Sequence, residues 1–561
     1  MVRVTANARR PRKIITLAAL LIAAIVGSAA VASAQVRSGD NRGDNRGDDR
    51  RDDNHGDRGN DRGRDRDSFF IPGNLVVSRS VYTNNSSFPA YPFVWNTVLT
   101  DPSFGITSKI FLDQMTPFGE VVGSLEVPNS TQRGVTSRSN QAVTSFSSKS
   151  EMALNLSTDG RFLTLMGYLA PVDAVDVSNS NTPLAFDPTD PVTTTAYRLV
   201  IQVGHDGRFR FTKTNAYSGN NGRAAILINT DDAHSYVTVG NAGNGSNPQP
   251  DAIVIGAGAQ IMNAEHAREV RQTPGDPTPL GSFSVTQLGA KADKVGKDDN
   301  FRGLTIFNNV VYMTKGSGSN GVNTVYFVDT FGGACPKGVG VPHPGANLPV
   351  GPITYDSTKL QTSGLPSNMC ILSGFASTLN SALKPKTTAY PFGIWFADAT
   401  TLYLADEGDG DIGDAGLTPA GLQKWVFDAV SASWVHVYTL QTGLGLGSTY
   451  PFPGDKAYPT GVNAATGLAW APVVDGLRNI TGRVNKDGTV TVWGITSTVS
   501  GNGDTGADPN KLVAITDRLA NTNPTVALNE KFVTVRTAAF GEVLRGVSLA
   551  PRADKYDDRY R

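Results

Sequence analysis

The chain has 561 residues, among them 60 Gly and 32 Pro, with 39% hydrophobic and 18% charged residues, below the ~25% charge of an average globular chain. Fifty Lys and Arg balance 50 Asp and Glu, so the formal net charge is zero and no overall field draws the molecule to nucleic acid or an acidic surface. This composition excludes a long coiled coil, a polytopic membrane protein and a wholly disordered chain.

The first 34 residues read as a secretory signal peptide. Arg3, Arg9, Arg10, Arg12 and Lys13 form a basic start, an apolar run follows over 14–26, and Ala32-Ser33-Ala34 gives an A-x-A cleavage pattern. An uncleaved N-terminal anchor is the alternative. No other stretch has the ~18 continuous apolar residues of a membrane helix. Residues 35–67 are expected to be a disordered linker, because 37–67 holds nine Arg and ten Asp and no aliphatic or aromatic side chain. Nothing there offsets the entropy of ordering the backbone. The triplets Arg42-Gly43-Asp44 and Arg46-Gly47-Asp48 resemble an adhesion tripeptide, but a segment drawn from so few residue types produces them by chance.

From Phe69 onward, apolar runs of four to eight residues alternate with Gly, Asn, Asp and Ser turns, the pattern of an all-β protein. Only 375–383 and 418–424 offer short helical spacing. A hairpin unit recurs at 152–167, 223–240, 302–314, 392–405 and 478–494, with turns such as Thr158-Asp159-Gly160, Asn308-Asn309 and Lys486-Asp487-Gly488, where Gly and Asn accept positive φ. A last copy begins at 545–551 without a hairpin partner in sequence. Between the hairpins a second strand type recurs at 110–113, 198–203, 252–255, 325–329, 424–428 and 512–517. Further strands follow at 120–127 and 434–440.

Repeats of this kind suggest a single β-propeller over 68–553. Six blades are expected, with a seventh possible within 441–475, and a charged tail over 554–561. The 74–82 segment is expected to pair with the final copy, closing the ring and covering two strand edges. A tandem of β-sandwiches is the competing architecture. Ser157-Thr158-Asp159-Gly160, Tyr403-Leu404-Ala405-Asp406-Glu407 and Arg545-Gly546-Val547-Ser548-Leu549-Ala550-Pro551 resemble exported bacterial β-propeller proteins of unassigned function. The resemblance covers about 70–551 and implies a fold; it carries no catalytic residues.

Enzyme motifs are sparse: the sequence has no G-x-S-x-G, H-E-x-x-H or Walker loop. The 253–261 run begins like a dinucleotide fingerprint, but Ile261 stands at the third glycine position. His234 beside Asp231 and Asp232, and His266 beside Glu265, have Zn²⁺ or Fe²⁺ ligand chemistry, although a turn residue needs no such role. Asp406, Asp409, Asp411 and Asp414 form an acidic, Gly-containing loop suited to Ca²⁺, but not in EF-hand order. Cys335 and Cys370, the only cysteines, are expected to form a disulfide in an oxidising compartment.

Charge repeats as well. Arg223, Arg302, Arg478 and Arg545 stand at the start of the hairpin's first strand, and Glu151 precedes the equivalent strand. In a propeller such positions face the central channel. Four converging guanidinium groups would bind a carboxylate or phosphate; alternatively each Arg clasps a neighbour's carboxylate or carbonyl. The functional expectation is a secreted or periplasmic noncatalytic binding module for a protein, a glycan or a small anionic ligand. A propeller enzyme of the metal-dependent lactonase or hydrolase type, with its site at the channel mouth, is the alternative.

Overall fold

The computed structural model describes residues 68–82 and 106–553 apart from internal stretches, the longest being 242–257, 272–280, 284–299, 350–368, 379–387 and 451–461. Residues 1–34, expected to be a signal peptide, the 35–67 stretch with its Arg-Gly-Asp triplets, and 554–561 lie outside the described residues.

The described chain is all-β, with one helical turn at Arg138–Asn140 and a four-residue helix at Pro524–Ala527. The expected hairpins form. Gly222–Ile228 pairs with Ser235–Gly240, Phe301–Phe307 with Val310–Lys315, and Pro391–Phe396 with Thr401–Asp406. Val473–Val484 pairs with Thr489–Val499 in the same way. The turn at Asn308 and Asn309 has φ of 47° and 61°, the left-handed pair that a two-residue hairpin needs and Asn tolerates.

The sheets stand as a propeller-like ring. Four are self-contained, of four or five strands each, and one has ten strands. This corrects the expected count of six or seven blades. The reason is local: Ala142–Ser145 pairs with Thr107–Met115 on one side and Phe162–Leu169 on the other, so strands that patterning assigned to separate units share one hydrogen-bonded sheet. In that sheet Leu75–Val81 also pairs with Glu542–Leu549, with Leu75 opposite Leu549 and Val77 opposite Val547, so strands from opposite ends of the described chain lie side by side.

Two further expectations change. Residues 421–424 are extended, within the strand Gly421–Asp428, and 375–378 form a turn and bend. Leu422, Gln423 and Lys424 are all buried, and a strand covered on both faces loses the alternation that marks it in sequence. The strand foreseen at 252–255 lies outside the described residues; the third strand of its sheet is Ala259–Asn263. Most of the 441–475 stretch, the place of a possible seventh blade, also lies outside them.

The core is distributed between the sheets. Phe327 and Val325 of one sheet meet Ile394, Phe396 and Leu404 of the next. Tyr403 and Leu422 meet Leu477, Val492 and Ile515, and Trp493 and Ile495 meet Val77 and Val547. Each apolar face is thereby buried against a different sheet.

Hydroxyl groups tie neighbouring units along the inner edge. Thr314 Oγ1 donates to the Phe392 carbonyl at 2.6 Å, Thr164 Oγ1 to that of Ala225 at 2.6 Å, and Ser78 Oγ to that of Met152 at 2.7 Å. Such close approach requires glycine. A Cβ on Gly303 would lie 1.9 Å from the Phe392 carbonyl oxygen, and one on Gly546 would lie 2.3 Å from that of Met152. The Arg-Gly step repeated in the sequence thus marks where inner strands touch.

Candidate functional site

The first strands of the hairpin units, with their counterparts at Asn155–Leu156 and Glu542–Leu549, neighbour one another in succession. They build one axis with two unlike ends.

At one end stand the four predicted arginines and Glu151, all nearly or wholly buried. They come together, since the charges of Arg302 and Arg545 each bear on Arg478 and that of Arg302 bears on Arg223. Arg223 and Arg545 are taken up by protein, whereas Nε and Nη2 of Arg478 are buried without a hydrogen-bond partner among the described residues. Arg223 donates to Asn221 Oδ1 at 3.0 Å, to the Phe301 carbonyl at 2.8 Å and to Asn300. Arg545 donates to Tyr82 Oη at 2.7 Å and to the Ser145 carbonyl at 3.0 Å. Arg302 and Arg478 flank Glu407, at 3.9 and 3.6 Å; these separations are ion pairs rather than hydrogen bonds. Burial lowers the pKa of Arg478 to about 10, opposed by Glu407 and reinforced by Arg545 and Arg302. Burial likewise lowers that of Arg223, and the Arg302 charge adds to it.

Glu151 accepts hydrogen bonds from Thr144 Oγ1 at 2.6 Å, from the Ser145 amide at 3.3 Å and from Tyr168 Oη. Burial pushes its carboxyl up to about 7 against the pull of Arg545 and Arg198. Glu407 is the central counter-charge that register did not single out. It follows its hairpin strand directly, and only folding brings it between arginines about 70 to 105 residues away in sequence.

Of the expected Ca²⁺ residues, Asp406, Asp409 and Asp411 are described. Asp406 is fully buried, and its carboxylate accepts from the Tyr390 amide at 2.8 Å, the Gly408 amide at 3.1 Å and Gln423 Nε2 at 3.2 Å. Burial pushes it up to about 7, with the Glu407 and Asp409 charges adding to the effect. Asp409 accepts from the Asp411 amide at 2.9 Å at an exposed turn, and Asp414 lies outside the described residues. Among the described residues no group of three or more His, Cys, Asp or Glu is placed to hold a metal ion. His234 is exposed, and His266 lies outside the described residues.

At the other end is a cavity of about 610 Å³, within the ~300–1,000 Å³ of small-molecule sites. Its wall draws on positions within 154–158, 226–230, 305–309, 394–395, 480–482 and 548–549. Four of these strands carry the arginines of the charged cluster, and the cavity positions lie two or more residues further along. Ile226, Ile306, Ile394, Ile480 and Leu549 supply apolar surface; Thr305, Asn308, Asn309, Thr481 and Ser548 supply polar groups. No Lys, Arg, His, Asp or Glu lines it. Trp395 completes the wall with its ring against Gly482, where a Cβ would lie 2.6 Å from the indole.

Away from the axis, Cys335 and Cys370 form a disulfide with Cα atoms 5.7 Å apart. Lys424, wholly buried, reaches Asp517 at 2.9 Å and the carbonyls of Arg518, Leu519 and Asn521. Tyr403 and Tyr438 donate to the same Asp517 at 2.5 and 2.8 Å. Every one of these groups is satisfied within the protein, so the network holds two sheets together. Among the described residues no helix is long and apolar enough to cross a membrane.

No family model and no curated protein matches the sequence. Distant structural neighbours include the Pyrococcus horikoshii acylaminoacyl peptidase, at 8% identity and a TM-score of 0.26, covering 75% of this chain and 42% of the peptidase. An acylaminoacyl peptidase bound to a chloromethyl ketone matches at 6% identity and a TM-score of 0.24, over 77% of this chain and 41% of its own. A Saccharomyces cerevisiae complex of Dbp5, Nup159 and Gle1 matches at 7% identity and a TM-score of 0.25, over 66% of this chain and 74% of the matched one. The chain thus spans less than half the length of the two peptidases.

Proposed function

We propose that this protein is an exported, noncatalytic binding module of the propeller class, which takes a small ligand into the axial cavity. The observation that carries this reading is the cavity wall, built from positions on all the first strands around one axis. In this reading the pairing of Leu75–Val81 with Glu542–Leu549 closes the ring, and the arginines with Glu407 and Glu151 act as the clasp that holds the strands in register. The hydrogen bonds of Arg223 and Arg545 to carbonyl, amide and hydroxyl oxygens, and the ion pairs of Arg302 and Arg478 with Glu407, support the clasp over an anion site. Export is supported by the disulfide, since such bonds persist in oxidising compartments. The metal-dependent lactonase or hydrolase alternative has no described group of residues to rest on.

The test is a thermal-shift panel of neutral saccharides, carboxylates, phosphates, amines and nucleosides on the purified protein. At least one class is expected to raise Tm, and Thr305→Trp, which fills the cavity, is expected to abolish that rise. A panel without any stabilising member, or a rise that survives Thr305→Trp, overturns the reading.

A further inference from the structure

The geometry points to a neutral, polyhydroxylated ligand, the end of a saccharide, as the occupant of the axial cavity; this deepens the binding reading above and rests on it. Three features of the wall select that chemistry. First, it carries no ionised side chain, so an anion or cation entering it would give up water without meeting a counter-charge. Second, Thr305, Asn308, Asn309, Thr481 and Ser548 line the cavity without a side-chain hydrogen bond among the described residues. They offer hydroxyl and amide groups from three separate strands, both donors and acceptors. A purely apolar ligand would strip water from these groups and leave them unsatisfied; one bearing several hydroxyls replaces that water. Third, the wall also supplies the half-buried indole of Trp395 beside Ile306, Ile394 and Ile480. An aromatic face next to aliphatic carbons matches the C–H faces of a pyranose, while the polar set matches its rim.

Asn308 and Asn309 are held at the cavity by the left-handed turn between Phe301–Phe307 and Val310–Lys315. Their side chains are positioned by a rigid hairpin rather than a long loop, so little ordering entropy is lost on binding.

The test uses the full protein on an array of immobilised neutral oligosaccharides, beside sulfated and sialylated ones, with free nucleosides as competitors and calorimetry on the hits. Binding to neutral saccharides is expected, with Trp fluorescence changing on addition of the free sugar. The double variant Asn309→Gly/Thr481→Val, which keeps a residue at ease with the left-handed turn, is expected to weaken affinity at least tenfold with Tm unchanged. Trp395→Leu should weaken it further; should that variant fail to fold, the double variant still decides. Binding confined to sulfated or sialylated glycans, displacement by nucleosides alone, or full affinity in the double variant overturns the saccharide assignment. In those cases a response lost in Thr305→Trp would leave the binding reading standing, whereas silence across every class removes both.

Discussion

The two ends of the axis are built from the same strands and differ in nearly every physical respect. One end packs four arginines and two glutamates into the interior; the other leaves about 610 Å³ lined by uncharged groups. Buried ions hold their partners tightly, because removing one strands the other without solvent. An uncharged polar wall has no such obligation and can trade water for ligand. Along one strand, then, rigidity is concentrated at one end and adaptability at the other.

The comparison breaks first if the charged end proves dispensable. Glu407→Gln leaves Arg302 and Arg478 buried without their shared counter-charge, and a loss of about 3–5 kcal/mol is expected by denaturant unfolding. A change below about 1 kcal/mol would mean that the cluster holds nothing together. Paired serines at Cys335 and Cys370, which close a span of 35 residues, should cost roughly 3–4 kcal/mol and leave the axis unaltered. Gly303→Ala pushes a methyl into the Phe392 carbonyl and should cost about 1–3 kcal/mol, read as a fall in Tm.

A pH series sharpens the same contrast. The carboxyls of Glu151 and Asp406 are both raised to about 7 from ordinary values of 4.5 and 3.8. A raised carboxyl means that the folded state holds the proton more tightly than the unfolded one. The stability these groups contribute is therefore full below about pH 4 and is lost as pH rises through 7. The unfolding midpoint should fall across that window, and Glu151→Gln should flatten the fall. The smallest stability effect belongs to the cavity end: Asn309→Gly, which suits the left-handed turn, should stay within about 0.5 kcal/mol. If it destabilises as strongly as Glu407→Gln, the division between a rigid and an adaptable end is wrong.

Much of the strand layout was legible because hairpin chemistry is local. Asn308-Asn309 and the alternating runs each state a backbone requirement within a few residues. The disulfide followed from there being only two cysteines. What failed to read depended on contacts between distant segments. Ala142–Ser145 bridges two sets of strands and so changes how many sheets exist, and nothing in those four residues announces it. The 418–424 stretch read with helical spacing because consecutive strand positions there are buried, with Lys424 facing Asp517 of another sheet. At the site, the repeated arginines were visible by register, while Glu407 and the cavity wall were not. An Ile or Thr lining a cavity looks the same in sequence as one facing any other half-buried surface.

By itself the sequence determined the all-β class, the hairpins and the inner-strand arginines. These follow from φ preferences and two-residue periodicity, which act over a few bonds. The tertiary structure alone decided which sheets merge, which carboxylate answers which arginine, and that the axis keeps an uncharged cavity at one end. Those outcomes are set by packing and by pairing of charges across the ring, and such forces connect residues that the chain order leaves far apart.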